Sequence, residues 1–195
     1  MIQEPHKKHL HGGMSSEGFF QPDLILKELG NLEGKNFLDV GCGDGHFSLA
    51  TSKLVGDKGK VLAIDIDKKS IDTLQKEIKT SNIKNVNALV LDITKGTPLK
   101  NNSIDVCIMV NVLHGFAANK EIDTVLKELI RLLKVNGAIV IIDFKKINGT
   151  PGPDLSIRLS PEDVKNIFSL YNYKTEKIFK VGSFHYGMIF HKEFS

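Results

Sequence analysis

The sequence predicts an α/β protein built on a doubly wound, mostly parallel sheet, and three observations carry that prediction. Short apolar runs alternate with segments of helical periodicity between residues 37 and 144, the pattern of parallel strands joined by crossover helices. Three glycines in Asp39-Val40-Gly41-Cys42-Gly43-Asp44-Gly45 stand between the first apolar run and the first long helical segment, where backbone has to approach a ligand closely. Asp65 closes the second apolar run, about 20 residues beyond the glycines, the spacing at which doubly wound folds put an acid on a ribose hydroxyl.

Taken in order, residues 1 to 20 are rich in His, Lys, Gly and Ser and show no periodicity before Phe19-Phe20. A flexible segment with an aromatic anchor is expected there, suited to act as a lid. A helix begins near Pro22-Asp23, with Leu24, Leu26 and Leu29 as its apolar residues and Gly30 as its stop. Phe37, Leu38 and Val40 read as a buried strand, and Phe47, Ala50 and Leu54 recur at helical spacing beyond the glycines. Residues 61–64 form the second strand, Ile71, Leu74 and Ile78 share a helical face, and residues 86–91 form the third strand. Ile104–Val110 is the almost unbroken apolar run of a central parallel strand. Ile122, Val125, Leu126, Leu129, Ile130 and Leu133 make the clearest helix, ended by Asn136-Gly137, and residues 138–142 form a fifth strand closed by Asp143.

The alternation breaks after residue 144. Gly149-Thr150-Pro151-Gly152-Pro153 is a loop by composition, of a length that suits a lid or a plain connector. Ser160 is an N-cap, Pro161 a first-turn proline and Glu162 and Asp163 first-turn acids for a helix buried through Val164, Ile167, Phe168 and Tyr171. Residues 176–181 and 185–191 can pair as an antiparallel hairpin through Gly182-Ser183, giving seven strands in all.

Composition narrows the function classes. The 195 residues suffice for one domain spanning 1–195 with its own core. Lys+Arg number 26 and Asp+Glu 23, a net charge of +3 with no basic run longer than a pair, so there is no strong nucleic-acid signal. Arg131 and Arg158 are the only arginines; Arg158 would meet an anionic substrate group or lie as a solvated loop charge. Cys42 and Cys107 are the only cysteines and suggest no disulfide framework, which fits a reducing cytoplasm. The N-terminus lacks the apolar core of a signal peptide, and no apolar run approaches a membrane span. His6, His9 and His11 lack a nearby acidic or thiol partner, so no metal site is expected.

The order acid-x-Gly-x-Gly-x-Gly at Asp39, Gly41, Gly43 and Gly45 differs from the Gly-x-Gly-x-x-Gly of dinucleotide dehydrogenases. It resembles the first motif of the class I S-adenosylmethionine-dependent methyltransferases. The resemblance covers residues 36–144, the expected cofactor-binding core, and extends to Asp65, Asp92-Ile93 and Asn111 at the ends of successive strands. It implies a Rossmann-like, mostly parallel seven-stranded sheet with a C-terminal antiparallel hairpin, and S-adenosyl-L-methionine as cofactor. It also implies roles. Gly41, Gly43 and Gly45 would let the backbone approach the methionine and ribose portion, and Asp39 would lie near the methionine amine. Asp65 would take both ribose hydroxyls, Ile66 would pack on adenine, Asp92 would accept from its exocyclic amine and Ile93 would cover the other edge.

In this family the end of the fourth strand, Asn111-Val112-Leu113-His114, faces the reacting methyl. His114 is the candidate general base or substrate contact, since imidazole titrates near neutrality; contact with cofactor or capping of a helix near Asn119 are its other readings. The Asn/Asp-Pro-Pro-aromatic motif of adenine and glutamine amide methyltransferases is missing, and two cysteines are too few for the arsenite branch. What remains is similar to the type 11, ubiquinone/menaquinone-biosynthesis-like branch. A small-molecule acceptor methylated by direct in-line transfer is expected, with a protein or RNA acceptor, or a noncatalytic cofactor-binding regulatory protein, as the alternatives.

Overall fold

In the computed structural model, which describes residues 20–193, seven strands form one sheet in the order β3-β2-β1-β4-β5-β7-β6. The strands are β1 (Asn36–Val40), β2 (Lys60–Asp65), β3 (Val86–Val90), β4 (Ile104–Val110), β5 (Leu133–Phe144), β6 (Tyr173–Val181) and β7 (His185–Lys192). The first five pair in parallel, and β7 runs antiparallel to both β5 and β6. The helices are α1 (Pro22–Leu26), α2 (His46–Val55), α3 (Lys68–Thr80), α4 (Leu113–Ala118), α5 (Ile122–Leu132) and α6 (Pro161–Ser169).

The chain builds from β1 outward through β2 and β3, then returns to the other side of β1 with β4. The loops leaving β1 and β4 therefore diverge, and a crevice opens at their carboxyl ends, which is where open α/β sheets bind ligands.

Alternation along each strand sends residues to two cores. Leu38, Cys107, Met109, Ile139 and Ile141 pack under α5 and α6 through Val125, Leu126, Leu129, Val164 and Phe168. Phe37, Val106, Ile108, Val140 and Ile142 face Ile25, Leu26, Phe47 and Val55 of α1 and α2. Each such side chain contributes roughly 1.5–3 kcal/mol on burial. Phe168 of α6 stacks on Phe190 of β7 with centroids 4.0 Å apart, which ties the last helix to the hairpin. Ser160 and Asp163 form a reciprocal capping box at the start of α6.

Several local expectations shift. Leu24 is 60% exposed, and Ile25 takes the buried place beside Leu26. The buried arc of α2 runs through Phe47, Ser48, Thr51, Ser52 and Val55, which leaves Leu54 on its exposed rim. The helix expected to end at Asn136-Gly137 stops at Leu132, and β5 starts at Leu133. The pairing slips from Ile104↔Leu133 to Val106↔Ala138, so residues 134–137 bulge out of the ladder with Asn136-Gly137 inside the bulge. A six-residue helix, α4, takes Leu113 and His114, read as the end of the fourth strand, into its first turn and ends at the expected neighbourhood of Asn119.

Candidate functional site

The glycine loop leaves β1 and turns into α2 with Gly41, Gly43 and Gly45 all at positive φ, 71°, 54° and 87°. Side chains are barred at two of these positions. A Cβ on Gly41 would lie 2.8 Å from Val112 Cγ2, and one on Gly45 would lie 2.3 Å from Leu74 Cδ1. The loop thus passes flush between the start of α4 and the face of α3. The Gly41 and Cys42 amides both donate to the Ile64 carbonyl, at 2.8 and 3.1 Å. Burial pushes the Cys42 thiol far up, so it is no nucleophile.

Asp39 points from β1 toward α2, where the Ser48 hydroxyl donates to its Oδ2 at 2.6 Å. Burial pushes its carboxyl up to about 7; the Ser48 hydrogen bond opposes that shift and the nearby Asp65 charge adds to it. Asp65 ends β2 and is also buried. Its Oδ2 accepts from the Gly43 amide at 2.8 Å and its Oδ1 from the Asp67 amide at 2.8 Å. Each oxygen keeps a second lone pair, enough for two ribose hydroxyls. Capping of α3 falls to Asp67, whose side chain accepts from the Ser70 amide at 3.0 Å. Asp65 is thereby left to the cleft.

Ile66 follows Asp65 and is 40% exposed, open to a flat apolar ligand face. Asp92 caps a short 3-10 turn, Ile93–Lys95. Its Oδ1 accepts from the Thr94 amide at 3.0 Å and hydroxyl at 2.6 Å, and Lys95 Nζ lies 3.2 Å from Oδ2. Partial burial opposes ionisation of Asp92, but the Thr94 and Lys95 contacts outweigh it and hold the carboxyl below its ordinary range. Ile93 is buried in the core under α5, so its side chain packs inward beneath the turn.

Asn111 follows β4 in the left-handed region, at φ 58°, with its amide donating to the Ile142 carbonyl at 2.8 Å. Its buried Oδ1 and that of Asp44 have no hydrogen-bond partner among the described residues. They flank the crevice at the ends of adjacent strands β1 and β4. Two orphaned buried acceptors in the loops that follow β1 and β4 suit a cationic donor such as an amino acid ammonium, since unmatched acceptors of this kind are costly. The glycine loop, Asp65 and these acceptors therefore fit S-adenosylmethionine chemically.

His114 lies in the first turn of α4 and is 2% exposed. Its Nδ1 is 2.7 Å from Oδ1 of Asp143, and its backbone amide donates to Oδ2 at 3.1 Å. Asp143 ends the core of β5 and is itself 1% exposed. Next in the chain, Phe144 lies with its ring 4.1 Å from that of His185 on β7, and Phe20 meets His185 edge-on at 5.0 Å. Burial pushes His185 down to about 4, further than the Asp143 charge can raise it, so it is neutral near pH 7. In the sequence Asp143 reads only as a strand end, and nothing local marks His185 or Ser48. An acid closing an apolar strand was the available signal for Asp143.

Arg158 is neither a substrate contact nor a solvated charge. It is 4% exposed, and its guanidinium is wrapped by the loop before it. Nε donates to the Pro153 carbonyl, Nη1 to the Lys145 and Ile147 carbonyls and the Thr150 hydroxyl, and Nη2 to the Thr150 and Pro151 carbonyls. A loop rich in Gly and Pro exposes many carbonyls and few amides, and one arginine satisfies them. The expected N-terminal lid, with Phe19, His6, His9 and His11, lies outside the described residues; of it only Phe20 is placed, against Phe47 and His185. Among the described residues no group of three or more His, Cys, Asp or Glu is gathered as a metal site, and no helix is long and apolar enough to cross a membrane.

A family model described as a methyltransferase domain matches residues 31–188. The demethylmenaquinone methyltransferase of Lactococcus lactis is 32% identical over 162 residues, 78% of this chain and 56% of that protein. The 2-phytyl-1,4-naphtoquinone methyltransferase of Nostoc sp. is 31% identical over 130 residues, 65% of this chain and 54% of that protein. The chain spans about half the length of the curated relatives it matches. The crystal structure of a SAM-dependent methyltransferase from Aquifex aeolicus superposes with a TM-score of 0.80 at 31% identity, over 88% of this chain and 89% of that one. With a family match across most of its length and a solved relative of nearly the same extent, this chain belongs to the S-adenosylmethionine-dependent methyltransferases.

Proposed function

We propose that this chain catalyses methyl transfer to a small quinone-type acceptor in its reduced, hydroxyl-bearing form, working in the cytoplasm as one domain with residues 36–144 as the cofactor core. The observation that carries the reading is the Gly43 to Asp65 hydrogen bond, which joins the two cofactor-side elements at the carboxyl ends of β1 and β2. The two relatives named for menaquinone and phytyl-naphthoquinone substrates support the acceptor class. The two free, buried cysteines suit a reducing compartment.

When bound, S-adenosylmethionine supplies a methyl group on a sulfonium that leaves as a neutral thioether. Asp65 would hold the ribose through the second lone pairs of its two oxygens. Asp39, Asp44 and Asn111 would receive the ammonium, the first directly or through water. Ile66 would cover adenine, and Asp92 with the backbone of Ile93 would border its far edge. His114, at the end of β4, is assigned to the acceptor side, where its imidazole takes a proton. Positioning and exclusion of water then supply most of the rate, since displacement at a sulfonium needs no covalent enzyme intermediate.

The test is incubation of the purified protein with methyl-labelled S-adenosylmethionine and fractions of a cell extract. Label is expected in the organic-extractable fraction and in added naphthoquinols. Label in protein or RNA instead, or cofactor binding with no transfer to any fraction, would overturn the acceptor assignment.

A further inference from the structure

We infer that Asp143 is a positioning residue that sets the tautomer and orientation of His114, so that the imidazole carries its proton on Nδ1 and presents Nε2 as the proton acceptor. The inference rests on the acceptor-side role proposed above for His114, but its central measurement needs no acceptor.

One carboxylate grips His114 twice, taking the ring at 2.7 Å through Oδ1 and the backbone amide at 3.1 Å through Oδ2. Two anchors on one residue leave the side chain little freedom about χ1. The carboxylate is itself held, because the Phe144 amide donates to Oδ1 at 2.8 Å. Both partners are almost wholly buried. A buried carboxylate accepts hydrogen bonds, so the facing Nδ1 carries a proton, and in the neutral ring the lone pair falls on Nε2. The Phe144 ring, edge-on to His114 with centroids 6.2 Å apart, limits rotation from the other side.

Among the described residues, His185 on β7 feels the charges of both partners and of Lys145 and Arg158 of the following loop, and Tyr186 feels that of Asp143. Lys145 is turned to the Gly182 and Ser183 carbonyls, and Arg158 to its own loop. Asp143, 2.7 Å from the ring, is an anion placed to offset an imidazolium at His114. In the step assigned to this pair, the acceptor's O–H bond breaks and its electron pair becomes a C=O bond as the adjacent ring carbon forms the C–CH3 bond. The hydroxyl proton goes to Nε2, the electron pair of the methyl–sulfur bond leaves with sulfur, and the methylated carbon then loses its own proton to restore the hydroxyl-bearing ring. The imidazolium then lies against Asp143 and releases its proton to solvent after product leaves.

A carboxylate needed only to cap α4 would require the His114 amide alone, and an amide side chain would serve as well. Asp143→Asn separates the two roles. Its amide group can donate to Nδ1 and force the proton onto Nε2. Nitrogen-15 spectra of the wild-type protein with S-adenosylhomocysteine bound are expected to show His114 protonated on Nδ1, and those of Asp143→Asn are expected to show loss of that tautomer. In the variant kcat should fall about 10²- to 10⁴-fold, the usual worth of a positioned base, with S-adenosylhomocysteine affinity unchanged. Asp143→Glu should recover part of the rate, and Asp143→Asn combined with His114→Gln should be no slower than His114→Gln alone. Wild-type His114 protonated on Nε2, or a full wild-type kcat and pH profile in Asp143→Asn, would overturn the inference. Failure of the wild-type protein to methylate any acceptor would instead defeat the proposed function, while the tautomer still decides this inference.

Discussion

The Gly43 amide donates to Oδ2 of Asp65 at 2.8 Å, across 22 residues of chain. The glycine loop after β1 and the acid at the end of β2 are thus one mechanical unit. Asp65 shapes the loop before any ligand arrives, and the same carboxylate is the proposed holder of the ribose. Together with the Asp67 amide on Oδ1, this gives Asp65 two fixed backbone donors and two spare lone pairs.

Asp65→Ala is therefore expected to weaken S-adenosylhomocysteine binding by about 1.5–3 kcal/mol, roughly 10- to 150-fold, as a charged acceptor is lost and the Gly43 amide is left unpaired. Asp65→Asn keeps one acceptor oxygen and should lose less. Titration calorimetry measures both. Tight NADH binding with no S-adenosylhomocysteine binding would contradict the assignment of the crevice.

Asp92 and His114 are expected to part in steady-state kinetics. Asp92→Ala frees Thr94 and Lys95, so the turn on the adenine side should loosen and the cofactor KM rise, while kcat at saturating cofactor holds. His114→Ala should lower kcat with the cofactor KM unchanged. Kinetic constants untouched by His114→Ala would remove that residue from the acceptor side.

How much of this was legible in the sequence follows from the range of each interaction. Gly41, Gly43, Gly45 and Asp65 were readable because a positive φ and a strand-end acid are local demands written at fixed spacing. The strand Ile104–Val110 was readable because a central strand is apolar on both faces. The His114–Asp143 contact joins residues 29 apart in sequence on neighbouring strand ends, and no local pattern encodes that distance. Arg158 failed for the same reason: a charge in a polar loop looks solvated until the loop's own carbonyls are seen to close on it. The early end of α5 depended on the bulge between β4 and β5, a matter of register.

Arg158→Ala should be among the more destabilising substitutions outside the core. It leaves the carbonyls of Thr150, Pro151 and Pro153 without their donor, takes one of two donors from those of Lys145 and Ile147, and removes the cation 5.5 Å above the Phe144 ring. A loss of about 2–4 kcal/mol is expected, the cost of leaving buried carbonyls without a donor. Arg158→Lys should recover little, because an ammonium cannot reach carbonyls arrayed around a plane. Chemical denaturation measures both, and a change below about 1 kcal/mol for Arg158→Ala would show that the loop holds itself.

Asp39 should make both stability and binding depend on pH. Its carboxyl lies at about 7 in the folded protein against an ordinary 3.8, because burial and the Asp65 charge penalise the anion more than Ser48 relieves it. Between those values the folded chain holds a proton that the unfolded chain has released. Stability of the ligand-free protein should therefore fall as pH rises from about 4 to about 7 and level off above, the slope that linkage requires when the native state binds more protons. Asp39→Asn keeps an acceptor for the Ser48 hydroxyl, cannot ionise, and should lose that slope. Binding reverses the preference, since an ammonium placed beside Asp39 favours the carboxylate. Cofactor binding near pH 6 should then release up to about one proton, and affinity should rise with pH until about 7. Calorimetry in buffers of different ionisation enthalpy counts that proton, and an equal release from Asp39→Asn would assign it to another group.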